Sequence, residues 1–322
     1  MSLLRAAQRP APAGPTIAAP ARTATVASLT AVTATVAVEL TFGWGDLVWV
    51  PLVAGLLAAL PHGAVDHLLP GRRLGWGMPR LAAFAIAYAV VAAAAWLLFH
   101  AAPGPSLLGF VLLSAWHFGS GETVFAARRA GRPVQRAGTA AAVLGSLVLL
   151  VPLARGAEEA APVVADVVPG STGAVPPGLT TAVLVVVLPA AAALVLVRTL
   201  EERWLEAADI GALLVLVLVV PPFAAFGVYL GCWHSVRHVA RLVADDPASA
   251  ADLAIGRTGA PLLRFAVAAA LPTAAVLVVS ALLWSAADGW RGLLTTTLPL
   301  VAALTLPHAL VVGWLDRTDS AR

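Results

Sequence analysis

A chain of 322 residues with 60% hydrophobic and only 11% charged side chains lies far outside the soluble range, where about a quarter of residues are charged. It reads as an integral membrane protein with no separate soluble domain. The net charge is +3 and all twenty cations are arginine, so chemistry that needs a lysine Schiff base, retinal attachment included, is excluded. The single cysteine, Cys232, excludes an intrachain disulfide and a thiolate cluster, leaving nitrogen and oxygen as donors for any metal.

The first 24 residues are rich in Ala, Pro and Arg, carry no core-forming pattern, and read as a disordered cytoplasmic tail. Residues 25–316 read as a single transmembrane helical domain, and 317–322 as a short cytoplasmic tail. Each membrane crossing needs about 20 apolar residues of helix. Such runs predict helices at 25–43, 47–65, 81–99, 106–124, 138–153, 179–198, 204–220, 222–241, 262–284 and 293–315. The first of these shows no persuasive cleavage site and reads as retained. The expected fold is an all-α polytopic protein of the cell membrane with about ten spans.

The count turns on Pro221-Pro222, which interrupts an apolar run too long for one span. Short cytoplasmic loops are enriched in positive residues, so arginine placement arbitrates. A turn at Pro221-Pro222 puts every arginine except Arg155 and Arg291 on one side, whereas a single kinked helix splits them 13 against 7. Ten helices with both termini cytoplasmic is the better reading. The 154–178 loop, with Glu158, Glu159 and Asp166, then lies outside.

This topology sorts the histidines. His62, His117, the pair His234 and His238, and His308 fall near the inner ends of four helices that run from outside to inside; His100 falls on the outer side. His234 and His238 are one helical turn apart and project from one face. Four imidazoles suffice for a nonhaem iron with positions left open, and imidazole also suits zinc, copper and nickel. Pro61 and Gly63 flank His62 and predict a helix broken beside it. Asp66, one turn on, is placed to accept the second ring N–H of His62 and fix its tautomer. In Ser114-Ala115-Trp116-His117-Phe118-Gly119, aromatic residues flank the histidine, and Glu122 follows as a possible second anion near it.

Each feature has an ordinary reading as well. A single histidine at a membrane helix end is more often an interfacial or hydrogen-bonded residue, the class to which His67 and His100 are assigned. Arg237 reads as an inner-face anchor. Trp116, Phe118, Tyr229 and Trp233 fit a lipid-facing belt as well as a substrate wall. The coincidence of side and depth across four helices favours a common site.

The motifs Pro61-His62-Gly63-Ala64-Val65-Asp66-His67, Ser114-Ala115-Trp116-His117-Phe118-Gly119, Tyr229 through Trp233-His234-Ser235-Val236-Arg237-His238, and Pro307-His308 together resemble the Brp/Blh family of membrane β-carotene 15,15′-dioxygenases. They cover nearly the whole chain apart from its tails. The resemblance implies an iron(II) enzyme that cleaves the central double bond of all-trans-β-carotene with O2, giving two molecules of all-trans-retinal. Its implied ligands are His62, His117, His234 and His238. Asp66, Trp116, Phe118, Tyr229, Trp233 and His308 are candidates for lining the substrate or supporting the ligands. The implied partners are a lipid-soluble carotenoid, O2, and a retinal-binding protein that takes the product; no nucleic acid is expected.

Three other classes share these features. A two-iron desaturase or hydroxylase needs about eight clustered histidines, and this chain has seven. A proton-coupled transporter also places His and Asp in a bundle but usually carries an inverted repeat, which the parallel Leu60-Pro61-His62 and Leu306-Pro307-His308 do not supply. A bis-histidine haem protein is the third.

Overall fold

The computed structural model describes residues 18–134, 138–287 and 289–320, and among them every element is helical. In order these are α1 (Ala18–Thr41), α2 (Trp49–Ala64), α3 (Leu69–Leu74), α4 (Met78–Ala101), α5 (Pro103–Arg129), α6 (Thr139–Gly145), α7 (Val151–Arg155), α8 (Ala157–Val167), α9 (Pro177–Leu200), α10 (Trp204–Val219), α11 (Pro222–Val228), α12 (Ser235–Asp245), α13 (Ala250–Ala254), α14 (Gly259–Ser285) and α15 (Gly289–Ser320). A π-helical turn over Ser146–Leu150 joins α6 to α7, and another over Tyr229–His234 joins α11 to α12.

Helices occupy all ten stretches at which spans are expected. Six helical stretches are long and apolar enough to cross a membrane: Ala19–Thr41, Gly45–Leu74, Met78–Ala101, Pro177–Leu200, Gly259–Ser285 and Thr295–Arg317. A seventh is the pair Thr139–Arg155 and Ala157–Val167, if counted as one span bent by 92°. The stretches that fall short include α5, α10 and the α11–α12 unit. α10, at 16 residues, is short of a full crossing, whereas α5 and the α11–α12 unit hold His117, Glu122, His234, Arg237, His238 and Arg241 buried inside the bundle, which lowers their apolarity. By contrast α4, α9 and α14 turn large apolar residues outward, among them Ile86, Val185, Val267 and Leu271. Such a surface in water would cost roughly 25 cal/mol per Å², and it suits acyl chains instead.

Helix boundaries follow local chemistry. Gly75, at φ 65°, ends α3 in the left-handed conformation that glycine accepts without strain. Val220 and Pro221 are extended, so α10 stops at Val219 and α11 starts at Pro222, giving the turn expected there. Two prolines in a row supply no N–H, and the last carbonyls of α10 need another donor. Arg155 provides it, donating to the carbonyls of Val217 and Val220.

Some boundaries differ from expectation. α1 begins at Ala18 rather than 25, because Ala21 and Ala24 are good helix formers that bury against Phe125 and Ala240. The preceding residues 1–17 of the expected tail lie outside the described residues, as do 321–322 at the other end, where α15 continues to Ser320. Residues 157–167, expected as loop, form α8, whose Val163 and Val167 pack with Phe99 and Ala302. The helix break after His62 comes later than expected: α2 runs through Pro61 to Ala64, and the backbone changes at Asp66–Leu68.

The ends of the described chain meet at one end of the bundle. Near the start of α1, Thr25 accepts from Arg129, and near the end of α15, Asp316 pairs with Arg241. The same end carries Asp245 between Arg73 and Arg128, tying α12 to α3 and α5.

Candidate metal centre

Two close helix crossings gather the histidines. Where α2 meets the α11–π unit, a Cβ on Gly55 would lie 2.0 Å from the carbonyl oxygen of Gly227, and one on Gly231 would lie 2.6 Å from the Cα of Gly55. Where α5 meets α6, a Cβ on Gly119 would lie 1.8 Å from Ala141 O, and one on Gly145 would lie 1.7 Å from Ala115 O. Only glycine permits backbones this close. The first contact carries His62 toward His234 and His238; the second seats the segment that holds His117.

Five imidazoles converge. The His62 ring centroid lies 4.9 Å from His308, 5.5 Å from His238 and 5.6 Å from His234. His117 lies 5.1 Å from His234 and 4.9 Å from His308, and His238 lies 5.5 Å from His308. His234 and His238 stack at 6.3 Å with planes 13° apart, as one helical turn dictates. π-Helical turns recur at functional sites, and here the turn over Tyr229–His234 ends on the first of this pair. His100 lies apart, on Trp96, and His67 belongs to the turn Asp66–Leu68.

The hydrogen bonds assign nitrogens. His62 Nδ1 faces the Ala59 carbonyl and, at 3.3 Å, Ser235 Oγ, whose own proton goes to Leu230 O. Both neighbours accept, so the proton sits on Nδ1 and the lone pair on Nε2. His308 Nδ1 lies 2.7 Å from Asp66 Oδ2, which also accepts from Tyr88 Oη at 3.1 Å. The Nε2 atoms of His117, His234, His238 and His308 are buried with no hydrogen-bond partner. Buried polar atoms are ordinarily satisfied, and four orphaned imidazole nitrogens in one cluster fit a cation. Among the described residues no three His, Cys, Asp or Glu donors yet close on a single point; the rings are gathered but not drawn onto one centre.

Behind the histidines lies a buried polar layer. Glu122 accepts from Tyr229 Oη at 3.3 Å, Trp233 Nε1 at 3.0 Å and Arg237 Nη1 at 3.2 Å. Arg237 also bonds Asp209 at 2.8 and 3.1 Å and Ser28 at 3.1 and 3.2 Å, while Arg129 pairs with Asp209 at 2.9 Å. A cavity of about 10 Å³ opens between this layer and the rings, lined by His117, Glu122, His234, Arg237, His238 and Arg241 among others. That is room for about one water molecule.

Several expectations change. Arg237 is not an inner-face anchor: it is 3% exposed and neutralised within the bundle. Asp66 orients His308, which approaches through space from α15, rather than His62 one turn away. Trp233 lies on Arg237 and Glu122 instead of facing the histidines, and Tyr229 shares that carboxylate. Trp116 is 47% exposed and touches Gly313 across α15, whereas Phe118 stays beside the rings, 4.8 Å from His234. Tyr88, Asp209 and Ser28 were not singled out. A signal was present for the first two: the chain has two tyrosines, each bonded to a carboxylate near the cluster, and Asp209 is an acid in an apolar run.

The family model described as beta-carotene 15,15′-dioxygenase matches residues 53–316, a stretch that contains all five converging histidines. The chain belongs to the β-carotene 15,15′-dioxygenase family. This is a family of carotenoid-cleaving dioxygenases, and it covers every helix from α2 to α15. The chain is also similar to the probable beta-carotene 15,15′-dioxygenase Blh of Halobacterium salinarum, 37% identical over 298 residues, which are 84% of this chain and 85% of that one. The probable beta-carotene 15,15′-dioxygenase Brp of the same organism, from two strains, is 34% identical over 129 residues, 35% of this chain and 36% of its own. No solved structure matches the chain.

Proposed function

We propose that this protein cleaves the central 15,15′ double bond of all-trans-β-carotene with O2, giving two molecules of all-trans-retinal, at an iron(II) held by His62, His117, His234 and His238. The observation that carries the reading is the cluster in which His62 packs against His234 and His238 while the buried Nε2 atoms of His117, His234 and His238 have no partner, inside a membrane bundle of this family. When bound, iron(II) supplies the one-electron chemistry that lets ground-state O2 react with an alkene.

The chain's own residues supply the rest. Neutral imidazoles leave the cation its charge, and the Ala59 carbonyl and Ser235 hold the His62 ring with Nε2 free. The cavity beside the rings, with Phe125 in its wall, has room for about one water molecule, and Phe118 packs against His234. A polyene dissolves in the bilayer rather than in water, so a site enclosed by lipid-facing helices meets its substrate there. Geometry then selects the bond that reaches the site.

The bundle crosses the cell membrane ten times with both termini cytoplasmic, the histidines lying toward the cytoplasmic side. The shared position of Thr25 and Asp316 at one end of the bundle supports placing both termini on the same side, and the arginines gathered there favour the cytoplasmic one. Retinal leaves into lipid or to a retinal-binding protein. The test is expression in cells that make β-carotene, followed by pigment extraction. Loss of orange colour with retinal appearing, abolished by His117→Ala or His234→Ala, is expected; unchanged pigment beside well-folded protein would overturn the reading.

A further inference from the structure

We infer that His308 is itself a ligand of the metal, presented by a relay in which Tyr88 holds Asp66 and Asp66 holds the His308 ring; this rests on the metal reading of the cluster. His308 is buried on α15, and its Nδ1 lies 2.7 Å from Asp66 Oδ2. An Nδ1–H donated to a carboxylate leaves the lone pair on Nε2. That Nε2 has no partner, in the same condition as those of His117, His234 and His238. Its ring lies as close to His62 and His117, at 4.9 Å each, as any two rings in the cluster.

The supporting residues point the same way. A ligating imidazole usually donates its other N–H to a carboxylate or carbonyl, which fixes the ring and raises its basicity. Among the described residues, His62 and His308 are the members of this cluster with such a partner: a carbonyl for the first and a carboxylate for the second. Asp66 is fixed in turn, since Tyr88 Oη on α4 donates to the same Oδ2 at 3.1 Å. Three helices therefore converge to aim one nitrogen. A brace to α15 would need only the Asp66 contact, and it would have no reason to leave Nε2 buried and unsatisfied on a ring packed against three other imidazoles. With His308 included, five imidazoles would be available to hold the ion.

Cobalt(II) tests this without turnover, because its visible bands report the number and kind of its ligands. Purified protein in detergent is stripped of metal and titrated with cobalt. The wild type is expected to bind one equivalent with resolved bands. His308→Ala should weaken binding at least tenfold and shift the bands, and added imidazole should restore them. Asp66→Asn should weaken binding about 10- to 100-fold, with Tyr88→Phe smaller and in the same direction. His308→Cys, which keeps a donor, should add an intense near-ultraviolet thiolate-to-cobalt band. A folded His308→Ala that binds cobalt with wild-type affinity and bands overturns the proposal, and so does a folded His308→Cys without the new band. A wild-type chain that takes up no cobalt overturns the metal reading as well, a result distinct from failure at His308 alone.

Discussion

The guanidinium of Arg237 lies over the indole of Trp233, 3.7 Å from the ring centroid, while both side chains bond Glu122. This pairing lets a cation sit deep in the bundle: the ring offers a cation–π surface, and Glu122 and Asp209 neutralise the charge. Glu122, Arg237 and Asp209 thus neutralise one another behind the histidines.

Breaking that set is expected to be expensive. Arg237→Met leaves Glu122 and Asp209 buried without their shared cation, a loss of roughly 3–5 kcal/mol. Thermal unfolding in detergent should show a large drop, partly restored when Glu122→Gln and Asp209→Asn are added. An Arg237→Met protein as stable as the parent would contradict the network.

The glycine crossings give a sharper contrast on one helix. Gly119→Leu must push α5 off Ala141 and Gly145, whereas a side chain at Gly109, also on α5, meets nothing within 4 Å. Gly119→Leu is expected to abolish folded yield, measured by size-exclusion of detergent extracts, and Gly109→Leu to leave it unchanged.

Arg155 is expected to matter for stability and not for the site. Its hydrogen bonds cap carbonyls beside the Pro221-Pro222 turn, and a charged donor of this kind contributes about 1.5–3 kcal/mol. Arg155→Ala should lower the unfolding temperature and keep carotenoid cleavage at moderate temperature; loss of cleavage with an unchanged melt would point elsewhere.

Sidedness can be read directly. A reporter fused after Gly170 is expected outside the cytoplasm and one after Gly256 inside, by the distribution of arginines. The opposite pattern at either position would break the ten-span arrangement.

What could be read from the residues alone follows from what sequence encodes locally. Apolar run length placed all ten helical stretches, and Pro221-Pro222, which cannot continue a helix, placed the turn between α10 and α11. His62, His117, His234, His238 and His308 each sit at a comparable distance along their own runs, which is why a reading of depth alone groups rings that the fold brings within 4.9 to 6.3 Å of one another. Partnerships across space were not local. Asp66 follows His62 by one turn, yet its partner His308 is 242 residues away. Arg237 looked like a boundary marker because counting charges by loop carries no information on whether a side chain points into the bundle. The Ala-rich start looked featureless, though alanine both favours helix and permits tight packing.

The 92° bend between α7 and α8 bears on how the protein sits in its membrane. α8 turns away at that bend, with Glu158 and Glu159 in its first turn and Val163 and Val167 packed with Phe99. On the ten-span reading α8 lies outside the membrane, on the face opposite the arginine-rich end. Held between the two, the bundle has a preferred hydrophobic thickness, and a bilayer that is too thin or too thick exacts a small cost for each ångström of mismatch. Lipid chain length therefore becomes a variable that sets the depth of the histidine cluster relative to a polyene lying in the acyl layer.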